Sequence, residues 1–314
     1  MWNVAQYEAE LLSLCWPEMG EWEKWMHYAL AGGGKRLRPW LAWLSYDFYT
    51  DQKGDWQEAL PLLKAIELLH TFTLVHDDVM DHSAWRRGRP TIFKQTDENT
   101  AILIGDALLI SVYEVLSNLQ PSALPEVTRI LSRAAYRVCH GQLLDLQLSR
   151  KPTYEVSMED YMQMILEKTG ALMGAALEAG AALAGAPPEE KEKLRKTGEE
   201  IGRFFQLQDD YLDAFGEHTG KAQGGDIAES KKTFLWLWAY AEADPEEKRL
   251  LEDEQLTPEN RRRAGLALYE KLKLRDKGKA LLEQTYQNLQ KLIDTVLLAP
   301  KLREVGALLY NRKL

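Results

Sequence analysis

LLHTFTLVHDDVMDHSAWRRGRPT, residues Leu68 to Thr91, decides how this chain is read. Apolar residues recur at helical spacing up to Val79, so the stretch reads as the end of a helix. Three carboxylates, Asp77, Asp78 and Asp81, fall in its last turn. Residues three and four apart share a helix face, so Asp77 and Asp81 project together with Asp78 at the side. Their mutual repulsion and the negative end of the helix dipole both disfavour this arrangement. A solvated acidic turn is one reading. A magnesium site is the other, since that ion takes carboxylate oxygens and keeps its remaining positions for water and phosphate. Arg86 and Arg87 follow closely and present planar forks suited to phosphate oxygens.

A second cluster, Asp209, Asp210 and Asp213 in FQLQDDYLD, repeats the spacing near the end of another helical stretch. Two such clusters could hold several divalent ions around one diphosphate. GGGKRLRP, residues 32–39, adds Lys35, Arg36 and Arg38 at a helix start, where backbone N–H groups and the positive dipole end favour an anion. A flexible hinge with solvated charges is the alternative for that motif. Lys168, Thr169, Lys221, Lys231 and Lys232 are further candidates, each individually compatible with an ordinary surface role. His70 could donate to a phosphate, whereas His76 reads as a hydrogen-bonded histidine beside the site. Neither has a partner at zinc spacing, and there is no Walker loop and no nucleophile signature.

Outward from these motifs the chain is helical from end to end. Helices are expected over residues 7–14, 22–30, 39–49, 55–80, 98–118, 125–148, 158–183 and 189–215, with four shorter ones in 231–314. The 158–183 segment, rich in Ala and Gly, is expected against a neighbouring helix in the core. No linker or fixed-period repeat interrupts the 314 residues, so the expectation is one all-α domain. Hydrophobic residues make up 45% and charged residues 28%, a globular profile. The net charge of −9 argues against a general affinity for nucleic acid or an anionic membrane surface. Two cysteines form no disulfide framework and suggest free thiols in a reducing cytoplasm. The N-terminus does not read as a signal peptide. No apolar run is expected to approach the roughly 20 residues of a membrane span.

Taken together and in order, GGKRLRP (33–39), HDDVMD (76–81), RRGRPT (86–91), GD (105–106), GQ (141–142), KTG (168–170), FQLQDDYLD (205–213) and GGDI with KKT (224–233) resemble the trans-isoprenyl diphosphate synthases of the polyprenyl synthetase family. The resemblance covers nearly the whole chain. It implies an all-α bundle around a deep central cavity, normally a homodimer, that condenses isopentenyl diphosphate with an allylic diphosphate and releases pyrophosphate. It further implies that Asp77, Asp78 and Asp81, with Asp209 and also Asp210 and Asp213, hold magnesium on the allylic diphosphate. Arg86, Lys168, Lys221 and Lys231 would contact that diphosphate; Lys35, Arg38, His70 and Arg87 would hold isopentenyl diphosphate; Thr169 and Gln206 would shield the carbocation. Arg36 has no separate role by resemblance.

Product length is read from Phe72 and Thr73, five and four positions before Asp77 and about one turn deeper. Phe72 is either ordinary core or a floor for the growing chain. In the family, an aromatic five positions before the first Asp goes with short products. Thr73 is small and DDVMD carries no insertion, a combination resembling the archaeal geranylgeranyl type. The twenty-carbon product is expected, with farnesyl diphosphate as the alternative. A terpene cyclase and a non-catalytic subunit of a heteromeric synthase are competing readings. The paired basic motif argues against the first and the two intact acidic motifs against the second.

Overall fold

The computed structural model describes residues 2–216, 223–253 and 255–311. These are overwhelmingly helical, and the regular extended structure among them is a ribbon of two two-residue strands. The chain forms two compact units, Met1–Cys139 with Leu172–Arg195, and His140–Ala171 with Lys196–Leu314.

In the first unit the helix Trp56–Met80 is the axis. Asp55 caps it, its carboxylate accepting from the Gln57 N–H. Its buried residues include Leu62, Leu63, Ile66, Leu69, Phe72 and Val75, which occupy more than one face because helices pack on more than one side. Helix Leu37–Tyr49 lies against it, as does helix Glu98–Leu116. The expected small-residue contact is present: a β-carbon at Gly180 would sit 2.1 Å from the Ala42 carbonyl oxygen, so helix Ala171–Leu183 meets helix Leu37–Tyr49 backbone to backbone. Helix Glu98–Leu116 is long and apolar enough by length and composition to cross a membrane, contrary to the expectation that no such run exists. Its Ala101, Ile104, Leu108, Val112 and Val115 are buried within the unit, while Ile110 and Tyr113 on the opposite side are exposed.

Residues 85–90 form a tight hairpin in which Arg86 pairs with Arg89. Arg87 and Gly88 are its two central residues and both have positive φ, +51° and +74°. That is the turn whose twist suits a two-residue hairpin.

The second unit is built on Phe204, Phe234, Trp236, Tyr269, Leu282 and Ile293, all fully or almost fully buried. Here helix Leu274–Ile293 comes close enough that a β-carbon at Gly278 would lie 2.8 Å from the Tyr211 ring. Two expectations are corrected. The helix read over 158–183 contains a π-turn, Leu166–Gly170, between regular segments. The region after Lys231 holds five longer helices among its described residues rather than four, because Lys273 adopts the left-handed conformation and ends helix Pro258–Lys271 without Gly or Pro.

Candidate active site

The first unit brings together two adjoining groups of charged side chains. At the end of helix Trp56–Met80, Asp78 is buried and accepts from Arg86 Nε at 2.7 Å, while Arg86 Nη2 lies 3.6 Å from Asp77 Oδ2. The hairpin carries Arg86 to this helix end. Burial raises the Asp78 carboxyl above its ordinary range, the Arg86 charge opposes this, and Asp77 and Asp81 reinforce it. Asp81 is the C-cap of the helix, directly after the turn that carries Asp77 and Asp78. His76 is held by the neighbouring helix: its Nε2 lies 3.0 Å from the Ile102 carbonyl and 3.6 Å from Asp106 Oδ1. Any β-carbon at Gly105 would collide with that ring at 2.2 Å, which gives the GD motif a physical meaning the sequence alone did not show.

One to two turns earlier on the same helix lies the basic group. Arg38 Nη1 faces His70 Nε2 at 3.1 Å. Arginine has no acceptor, so His70 Nε2 accepts and the ring proton is assigned to Nδ1. Burial, then the positive charges of Arg38 and Arg87, hold His70 well below its usual pKa and keep it neutral. Arg38 is itself lowered to about 10, chiefly by burial, and its Nε is buried with no acceptor. Arg87 Nη1 donates to the Gly33 carbonyl, and a β-carbon at Gly34 would lie 2.7 Å from the Arg87 guanidinium. The glycines of GGGKRLRP thus let the loop and Arg87 touch. Lys35 is exposed on that loop.

The His70 shift carries a sign that can be checked. A histidine depressed in the fold stabilises it fully above the unfolded value near 6.5, and that contribution is lost as pH falls toward the folded pKa. Between pH 7 and pH 5 the melting temperature of the native protein should fall more steeply than that of His70→Gln. Parallel curves would show that His70 is not held neutral by its surroundings.

The second unit assembles the other motifs. Gln206 receives the Thr169 hydroxyl at 2.9 Å and donates to Asp210 Oδ1 at 2.8 Å; the buried Tyr161 hydroxyl donates to Asp210 Oδ2 at 2.6 Å. Asp210 is buried, and desolvation raises its carboxyl to about 7. Asp213 is tied to GGDI: its Oδ2 accepts from Asp226 N at 2.9 Å and its carbonyl from Gly224 N at 2.7 Å. Asp209 is the exposed member of this cluster. Lys168 Nζ lies 2.6 Å from Asp145 Oδ2, and Lys231 Nζ lies 2.9 Å from Glu229 and 3.8 Å from Asp226. Lys221 lies outside the described residues. Tyr161 and Asp145 were not singled out from the sequence, where an isolated Tyr or Asp on a helix carries no signal.

Lys168 and Thr169 both sit in the π-turn, a device that re-aims side chains within a helix. Across from it, a β-carbon at Gly141 would fall 2.3 Å from the Lys168 backbone nitrogen. Gly141→Ala should therefore destabilise the protein by about 1–3 kcal/mol or more, the range of overpacked cores. It should also lower turnover beyond the loss of folded protein. An unchanged melting temperature would contradict the close approach.

The carboxylates of each cluster are hard oxygen donors without Cys, a set suited to magnesium rather than zinc. Among the described residues no three His, Cys, Asp or Glu side chains converge as a ready-made metal cage. Aspartate oxygens alone suit an ion that draws much of its shell from water and substrate phosphate.

The class of protein follows from comparison with known families and structures. The family model described as polyprenyl synthetase matches residues 20–270, and the chain belongs to that family. It is a trans-prenyltransferase with the all-α isoprenoid synthase fold. A short chain isoprenyl diphosphate synthase from Methanocaldococcus jannaschii is 42% identical over 72% of this chain and 68% of that one. A crystal structure of a geranylgeranyl pyrophosphate synthase superposes with a TM-score of 0.87 at 32% identity, covering all of both chains. A polyprenyl synthase from Caulobacter crescentus, solved with calcium and isoprenyl diphosphate, gives a TM-score of 0.86 at 28% identity over 99% of this chain and 95% of that one. Other relatives are named geranylgeranyl, geranylfarnesyl and octaprenyl diphosphate synthases.

Proposed function

We propose that this isoprenyl diphosphate synthase extends allylic diphosphates with isopentenyl diphosphate as far as geranylgeranyl diphosphate. The observation that carries the two-substrate reading is the basic group in the first unit. Arg38 with an unused buried donor, neutral His70 and Arg87 adjoin, but are separate from, the Asp77–Asp78–Arg86 group. One group receives the diphosphate of isopentenyl diphosphate, together with Lys35. The other receives the allylic diphosphate, with Asp81, Asp209, Lys168 and Lys231, and with Lys221. Asp210 and Asp213 join Asp209 in holding the metal, and their hydrogen bonds also hold Gln206 and the GGDI turn.

Magnesium held by the aspartates would supply positive charge against the negative charge that develops on the leaving pyrophosphate. Arg86 and Lys168 add fixed donors to the same oxygens. The allylic C–O bond breaks, the alkene of isopentenyl diphosphate attacks the allylic cation, and the proton lost from C2 of the isopentenyl unit passes to the released pyrophosphate. Thr169 and Gln206, which already hydrogen-bond each other, shield the cation from water. Phe72, with Thr73, limits product length.

A homodimer is part of this reading, supported by the exposed Ile102, Leu103, Ile110 and Tyr113 on helix Glu98–Leu116. The proposal is tested by incubating pure protein with magnesium, isopentenyl diphosphate and dimethylallyl, geranyl or farnesyl diphosphate in turn. Geranylgeranyl diphosphate should form from each primer. A fifteen-carbon end product, or elongation past twenty carbons, would overturn the length assignment.

A further inference from the structure

Arg36 is the motif residue to which no role has yet been attached, and its environment differs from that of its neighbours. Lys35 is exposed and Arg38 half-buried, but Arg36 is 5% exposed. Its φ of +48° and ψ of +38° are left-handed, a conformation a β-carbon disfavours. That backbone turn points its guanidinium into the protein. There Nη1 donates to Glu67, Nε donates to Glu8 Oε1 at 3.2 Å, and Nη2 donates to the Leu30 carbonyl at 2.8 Å. Glu67 is 3% exposed and stands one turn before His70 on helix Trp56–Met80. It is also the carboxylate whose charge is felt by Arg36, Arg38 and Arg87 alike.

We propose that Arg36 is a positioning residue that sequesters the Glu67 carboxylate, and so keeps Arg38 and Arg87 available to the diphosphate of isopentenyl diphosphate. The inference rests on the reading of Lys35, Arg38, His70 and Arg87 as that substrate's cradle. Arg36 ties Glu67 to Glu8 on helix Val4–Leu12 and to the Leu30 carbonyl at the end of helix Glu23–Leu30. Without Arg36, a buried carboxylate would be left beside Arg38 and would take a partner there, because a buried charge without one is strongly disfavoured. Arg38 Nε, which has no acceptor, offers that partner. Glu67 would then compete with substrate phosphate for the same guanidinium. The αL backbone at Arg36 serves the same end by turning its side chain inward between the outward Lys35 and the cradle-facing Arg38.

The test is a double-mutant cycle read in the KM for isopentenyl diphosphate. Arg36→Met should raise that KM about tenfold or more, while the KM for the allylic substrate stays within about twofold. Arg36→Met with Glu67→Gln removes the competitor and should return the isopentenyl KM most of the way to the native value. A merely structural ion pair would lower the melting temperature in both variants without moving one KM apart from the other. A double variant as poor in isopentenyl KM as the single would overturn the proposal. Should Arg36→Met fail to fold, Arg36→Lys keeps the charge but not the three-way fork. It should raise the same KM about threefold, and an unchanged KM would overturn the proposal. Arg38→Ala separates the underlying reading from the inference: if it leaves the isopentenyl KM unchanged, the cradle itself is wrongly assigned. If Arg38→Ala raises that KM and the cycle shows no recovery, the cradle stands and the role given to Arg36 does not.

Discussion

Asp77→Ala is expected to lower kcat by roughly 10²–10³-fold or more, the loss seen when a preorganised electrostatic group is removed from a developing charge. The fold should survive. Asp77 is half-buried and its distance to Arg86 is 3.6 Å, whereas the stronger 2.7 Å contact of that arginine is to Asp78 and stays in place. Removing one of three adjacent carboxylates at a helix C-terminus also relieves repulsion and an unfavourable dipole interaction. Circular dichroism and melting temperature should therefore be close to native while turnover collapses. Near-normal turnover in a folded Asp77→Ala protein would rule out the metal role of this cluster.

Phe72→Ala carries the second large effect, in the identity of the product rather than in the rate. Phe72 is 7% exposed and packs edge-on against His76 with ring centroids 4.8 Å apart. It lies five residues before Asp77, about 7.5 Å further along the helix axis. If the growing chain runs along this helix, the Phe72 ring is a bulky obstacle somewhat more than one turn below Asp77. The Thr73 hydroxyl is turned back to the His70 carbonyl at 2.7 Å and adds no bulk. Replacing the ring by a methyl should shift the products past twenty carbons by one or more isoprene units. It should also cost about 3–5 kcal/mol of stability where the space is not refilled, as large-to-small core substitutions do. Mass spectrometry of the product and a thermal melt separate the two effects. A folded variant with unchanged product length would return Phe72 to ordinary core.

Much of this was legible in the sequence because helical periodicity and its punctuation are local properties. Asp55 before Trp56 and Thr233 before Phe234 cap their helices by simple side-chain acceptors, and such starts are readable. The missed break at Lys273 has no Gly or Pro to mark it; a lysine in the left-handed conformation separates the two helices. The π-turn at Leu166–Gly170 was equally hidden, since KTG within an Ala-rich segment fits a regular helix. What signals it is spatial: Gly141 leaves only backbone-to-backbone room beside Lys168. In the site, the carboxylates and the cations were legible as types. Which cation serves which carboxylate was not. Arg36, Arg38, Arg86 and Arg87 look alike in one dimension. Only the fold separates the arginine buried on Glu67 from the one facing His70, and the one on Asp78 from the one on the Gly33 carbonyl.

Head-to-tail joining of two diphosphate substrates is tested most directly by stoichiometry. Purified protein is given magnesium, an allylic diphosphate and limiting isopentenyl diphosphate, and pyrophosphate release is followed together with isopentenyl consumption. One pyrophosphate released per isopentenyl diphosphate consumed is the predicted result, with none released when either isopentenyl diphosphate or the divalent ion is withheld. Pyrophosphate released from the allylic substrate alone, or no release with any primer, would contradict it.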